Sequence, residues 1–299
     1  MPITRARRAA IAVALGWVVV SALVLWGVVE VALGTVSGQR WDHAALDTVY
    51  AGADTRLALL SVLGRVSIGL ILAVMIGCMA TALMRGRGQW AVAAVVVIAG
   101  ANVTTQLLKH VLLERPDLGL GLGTLNSLPS GHTTVVASAT AAALMVVPAA
   151  LRAPLALLGA AATTMTGAST IVAGWHRPSD IVAALAVSLL WAAGVSAVVS
   201  RRRVRVRGAA TSSLLGAAAG LVVLAVLGVR PVMGWSGVVD AGVVLGATAV
   251  VTALFTWAAT TVGLDDVPRE TMPAPDDRVE DSSPVGVPGP ALAADRPRS

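Results

Sequence analysis

His176 and Asp180 stand four residues apart in "GWHRPSD" (174–180). On a helix that spacing lets the carboxylate bond one ring nitrogen and fix the tautomer. The other nitrogen is then an oriented nucleophile. A second histidine, His132, closes the run Pro129-Ser130-Gly131-His132. This run reads as a helix start. Ser130 suits the N-cap, Gly131 admits a ligand closely, and the first backbone N–H groups point at an anion. Two cations, Lys109 and Arg115, lie upstream in "QLLKHVLLERPDLG" (106–119). Pro116 disfavours α conformation at Arg115 and ends that helix. A lysine and an arginine above a helix end suit a phosphate, with the guanidinium able to hold two oxygens at once. Asn102, Gln106 and Lys109 share one helix face, and Lys109 is the only lysine in the chain. Each piece also has a plainer reading: an interfacial lysine, an ordinary capped helix, a lone His–Asp pair. Their joint presence favours the chemical one.

These residues are dispersed over 72 positions, so the elements between them decide whether they meet. The 299-residue chain is 56% hydrophobic and 13% charged, with mean hydropathy +0.81. Its apolar residues, mainly Ala, Val, Leu and Gly, come in runs of about 20, enough to cross a hydrocarbon core. We expect an all-α, polytopic membrane bundle with eight spans near 9–34, 62–83, 90–113, 132–150, 154–174, 180–200, 209–228 and 237–261. The first run is too long for a signal-peptide core and reads as an uncleaved helix.

Arginines cluster at the ends of these runs: Arg5, Arg7 and Arg8; Arg85 and Arg87; Arg152; and "RRRVRVR" (201–207). With eight spans, all four clusters fall on one side, which the positive-inside rule makes cytoplasmic. The net charge of +6 is therefore a topology signal and not a nucleic-acid footprint. Lys109, Arg115, Ser130, His132, His176 and Asp180 then share the outer face. The polar stretch 35–61 reads as a helix along the outer interface, with Arg65 snorkelling at the start of the second span. The segment 262–299, rich in proline and acidic residues, reads as a disordered cytoplasmic tail. A single cysteine, Cys78, excludes an intrachain disulfide and a cysteine-rich metal site.

Taken together, the residues resemble the type 2 phosphatidic acid phosphatases, the lipid phosphate phosphatases that share their site with vanadium haloperoxidases. That family's pattern is K-x6-RP, PSGH and SR-x5-H-x3-D. Here PSGH is intact at 129–132, and "STIVAGWHRPSD" (169–180) keeps the serine, histidine and aspartate intervals. Two departures stand out. "KHVLLERP" has five residues between Lys109 and Arg115, and Thr170 occupies the place of the family's phosphate-binding arginine. Arg177 is a candidate substitute charge. The resemblance covers about residues 40–200, a six-span core (first helix 1–34, outer segment 35–61, core 62–207), leaving the spans in 208–261 as additions.

The resemblance implies an integral-membrane phosphatase acting on lipid phosphates at the outer face of the plasma membrane. His176 would attack phosphorus, Asp180 would orient it, and His132 would protonate the leaving oxygen and then activate water. Lys109, Arg115 and the Ser130–Gly131 amides would hold phosphoryl oxygens, with Thr170 and Arg177 as weaker contributors. No metal or cofactor is expected, and the partner is a membrane lipid phosphate with no nucleic acid. Two other readings stay open at this stage: a binder or scaffold with a degraded site, for which Thr170 is the best support, and a transferase or transporter.

Overall fold

The computed structural model describes residues 4–65, 68–200 and 205–264. The side chain of Arg65, the first four residues of "RRRVRVR" and the tail from 265 onward lie outside the description. The described residues hold ten α-helices, two 3₁₀ turns, one π turn and one small two-stranded sheet.

Every expected apolar run is a helix: α1 (Arg5–Ala32), α4 (Ile68–Met84), α5 (Gly88–Leu107), α6 (Gly131–Val146), α7 (Ala149–Val172), α8 (Pro178–Val199), α9 (Ala209–Leu227) and α10 (Val238–Thr261). Six of them are long and apolar enough to cross a membrane. The other two, α4 with 17 residues and α6 with 16, are shorter. At 1.5 Å per residue, α6 extends only about 24 Å. Its end comes earlier than the hydropathy suggests because Pro148 holds Val147 in an extended conformation. The next helix starts at once, on Pro148 as N-cap, and carries Pro154 inside it.

The polar stretch after α1 is more varied than the single interfacial helix expected there. It holds α2 (Val36–Ala44), a 3₁₀ turn, strand β1 (Val49–Ala51) and α3 (Ala53–Arg65). β1 pairs antiparallel with β2 (Val229–Pro231), with Tyr50 opposite Arg230. A connection between the segment after α1 and the segment after α9 has no local sequence signal, since each strand is only three residues long.

Small residues let the helices approach closely. A Cβ on Gly216 of α9 would sit 2.0 Å from the Leu157 carbonyl oxygen of α7, and one on Gly159 of α7 would sit 2.3 Å from Thr140 of α6. Close backbone approach of this kind replaces the hydrophobic drive that lipid removes. α1 lies against α8, and α5, α6 and α8 pack on one another around the fully buried Ala94, Val97, Ile98, Ala141 and Ala192. At one end of the bundle, Arg85 donates to the Val146 carbonyl and Trp17 Nε1 donates to Thr261 Oγ1. The opposite end carries the residues singled out above.

Candidate active site

Three helix ends build the site. α5 does not stop at Leu107 but continues through a π turn, Leu108–Leu112, closed by the Leu113 N–H to the Leu108 carbonyl at 2.9 Å. Such turns are rare and recur at functional sites. Lys109 lies in this turn, in the interval that is one residue short of the family spacing. Below it, Asn102 reaches Ser138 of α6 at 3.2 Å and Thr105 reaches Thr134 at 2.9 Å, so this face of α5 looks onto α6. Gln106 approaches Gly131, where a Cβ would lie 3.8 Å from its Nε2.

Ser130 is the N-cap of α6, as expected. Its Oγ accepts from the Thr133 backbone at 3.4 Å and the Thr133 hydroxyl at 3.0 Å. The first intrahelical bond runs from Thr134 N to Ser130 O, which leaves the Gly131 and His132 N–H groups at the open helix start. The Ser130 N–H donates to the Asp180 carbonyl at 2.9 Å, tying this turn directly to α8.

The third end is the turn from α7 into α8. The Thr170 carbonyl accepts the N–H groups of Trp175 at 3.0 Å and His176 at 3.2 Å. Its hydroxyl donates to the Gly167 carbonyl at 2.7 Å and is fully buried. Thr170 thus shapes the histidine's turn through its backbone while its side chain stays within α7. Asp180 Oδ2 meets His176 Nδ1 at 3.0 Å and the Arg177 N–H at 2.9 Å. A carboxylate only accepts, so Nδ1 carries the proton and Nε2 holds the lone pair. The second contact closes half of a capping box, with Pro178 as the first helical residue.

Several of the expected groups lie near one another. His132 lies within electrostatic range of both His176 and Lys109, and its ring stands 5.6 Å from that of Trp175. Arg115 is in range of Arg177, Asp42 and Asp180. Burial, and then Arg177, push the Arg115 guanidinium below its ordinary value. Arg177 donates to Ser127 Oγ at 2.9 Å. Arg115 Nε and Nη2, and Arg177 Nε, are buried with no hydrogen-bond partner among the described residues. Leaving such donors unpaired costs about 1–3 kcal/mol for each group. An anion that accepted them would recover that cost.

Several contributors were not legible in the sequence. Asn126 donates to the carbonyls of Lys109, Leu113 and Leu128 and accepts from the Leu128 N–H, lacing the end of α5 to the α6 cap. Ser127 holds Arg177, and Trp175 flanks His132. All three adjoin the motifs, but nothing in their spacing signals the contact. Asp42 and Gln39 of α2 reach the site from far earlier in the chain.

Residues 90–204 match the family model described as PAP2 superfamily. Those residues, called the PAP2 domain below, are the part of the chain that is similar to this superfamily. The matched segment contains Lys109, Arg115, PSGH and "GWHRPSD", and members of this superfamily are generally phosphatases. No curated protein and no solved structure matched in the other two comparisons. The PAP2 domain begins within α5, so α1 to α4 and the α9–α10 pair lie outside the matched segment.

Proposed function

We propose that the PAP2 domain hydrolyses phosphomonoester or diphosphate groups of membrane lipids through a phosphohistidine. The observation that carries this reading is the set of unpaired, buried guanidinium nitrogens of Arg115 and Arg177 beside an oriented His–Asp pair. Buried guanidinium nitrogens without a hydrogen-bond acceptor call for one, and a tetrahedral phosphoryl group offers the acceptors they lack. His176 Nε2 attacks phosphorus while the bond to the lipid oxygen breaks. His132, in its protonated form, gives its proton to that oxygen. Neutral His132 then takes a proton from water, whose oxygen displaces His176 and releases phosphate. Asp180 stabilises the positive charge that develops on the His176 ring. Lys109, Arg115, Arg177 and the Gly131 and His132 amides hold the phosphoryl oxygens, the main catalytic demand of phosphoryl transfer. In this reading Arg177 supplies the charge that the family pattern places at 170.

We further place the site on the outer face of the plasma membrane, with both termini cytoplasmic. Arg85 binds the end of α6 opposite the PSGH turn, and Arg5, Arg7, Arg8 and Arg152 fall at that same end by helix direction. The positive-inside rule makes that end cytoplasmic. A lipid phosphate in the outer leaflet then presents its head at site depth with its tail in hydrocarbon.

The test measures phosphate released from phosphatidate, phosphatidylglycerol phosphate and polyprenyl diphosphate by purified protein with a chelator present. Wild type releases phosphate and is inhibited by vanadate, whereas His176→Ala does not turn over. Undiminished release by His176→Ala would refute the mechanism.

A further inference from the structure

Helix α2 lies outside the PAP2 domain, yet two of its side chains grip that domain on both sides of the site. Gln39 Nε2 donates to the Pro116 carbonyl at 3.0 Å, immediately after Arg115. Its second contact, to the Leu33 carbonyl at 3.0 Å, anchors it to the end of α1. Asp42 Oδ1 accepts the Ser179 N–H at 3.0 Å, and Oδ2 accepts the Ser179 hydroxyl at 2.6 Å. Ser179 stands between His176 and Asp180, in the first turn of α8. Gln39 and Asp42 are three apart and share one face of α2.

The other end of the brace is fixed too. Thr35 caps α2 by accepting the Gly38 N–H at 2.9 Å. A Cβ at Gly38 would meet the Val31 carbonyl oxygen at 1.9 Å, so α1 and α2 touch backbone to backbone. Beyond α2, β1 is held by β2, and the Val232 N–H donates to the Thr48 carbonyl at 3.0 Å. The α9–α10 connection, which has no part in the chemistry proposed above, thereby secures α2. Asp42 also sits where burial raises its carboxyl pKa despite two bonds from Ser179.

We infer that α2 is a positioning element of the site: Asp42, through Ser179, sets the His176–Asp180 pair, while Gln39, through Pro116, sets Arg115. This inference rests on the reading of His176 as the nucleophile and Arg115 as a phosphate ligand. The two arms have separable effects. The Asp42 arm governs attack and therefore kcat. The Gln39 arm governs phosphate binding and therefore KM. Asn at position 42 can keep both bonds, its carbonyl accepting the Ser179 N–H and its amide donating to the Ser179 hydroxyl; Ala keeps neither.

The experiment uses the full chain in lipid nanodiscs and two readouts. In turnover, Asp42→Ala lowers kcat roughly tenfold or more with KM within about twofold, Asp42→Asn recovers most of that loss, and Gln39→Leu raises KM several-fold. In hydrogen exchange, which needs no turnover, Asp42→Ala speeds exchange of the 176–182 amides by roughly fivefold, with Asp42→Asn near wild type. Ser179→Ala, which removes a single hydroxyl, gives an intermediate loss if Asp42→Ala does not fold. Unchanged kcat and unchanged exchange in Asp42→Ala overturn the inference, as does an Asp42→Asn protein as impaired as Asp42→Ala. If wild type hydrolyses no lipid phosphate, the catalytic reading fails, and the exchange comparison still decides whether α2 holds α8.

Discussion

Asp180→Asn isolates charge from geometry at the His–Asp pair. Both contacts of the carboxylate, to His176 Nδ1 at 3.0 Å and to the Arg177 N–H at 2.9 Å, fall on one oxygen, Oδ2. An asparagine carbonyl placed there can accept both, so the tautomer and the helix cap survive. What is lost is the negative charge facing the imidazole as it becomes cationic during attack. Both side chains are buried. Two unit charges about 4 Å apart interact by about 4 kcal/mol at an effective dielectric near 20. The amide dipole retains part of this, so we take 2–4 kcal/mol as the range, or roughly 30- to 1000-fold in kcat. The assay is steady-state phosphate release across substrate concentrations, with thermal unfolding of each variant as a control. Asp180→Asn should unfold near wild type with KM little changed and kcat depressed within that range. Asp180→Ala should lose more kcat and also stability, because the cap goes with the charge. An Asp180→Asn protein with kcat within about threefold of wild type would show that charge on this residue does not stabilise the reacting histidine.

Arg115→Met removes two buried, unpaired donors and should raise the stability of the ligand-free protein by about 1 kcal/mol while lowering turnover by roughly 10²-fold; thermal unfolding and phosphate release check the opposite signs. Vanadate at about 100 times its Kd should stabilise wild type by about 2.7 kcal/mol and protect Arg177→Met far less, read by the same unfolding assay. Asp42 has a folded pKa raised by burial above its ordinary 3.8, so its contribution to stability is present below that value and is lost as pH rises through the folded pKa. Asp42→Asn should therefore be the more stable protein at pH 7, with the difference shrinking as unfolding is repeated at progressively lower pH. Gly216→Ala, whose Cβ would stand 2.0 Å from the Leu157 carbonyl oxygen, should force α7 and α9 apart and cost at least about 2 kcal/mol, measured by unfolding in detergent.

Hydropathy and motif spacing already placed much of this protein. Apolar runs located every long helix because a bilayer demands runs of a set length. The Pro-Ser-Gly-His turn announced an α6 N-cap, and the His176–Asp180 interval announced a side-chain pair, because both are local geometry. Helix ends governed by proline were less legible. α6 ends before the hydropathy does, since Pro148 enforces an extended residue before it. The π turn at Lys109 left no trace in the spacing beyond a missing residue.

Residue types and intervals by themselves determined a membrane helix bundle and singled out His132, His176, Asp180, Lys109 and Arg115 as candidates for a phosphate site. Tertiary structure decided what spacing cannot encode: that Thr170 turns its hydroxyl into its own helix, that Arg177 stands beside Arg115 with an unpaired nitrogen, and that Asn126 laces two helix ends together. It also decided that Asp42 binds Ser179 across 137 positions and that three-residue strands join the segment after α1 to the segment after α9. Periodicity reports only how a residue relates to its neighbours in one element. Contacts between elements depend on how whole helices pack, and that is a property of the complete fold.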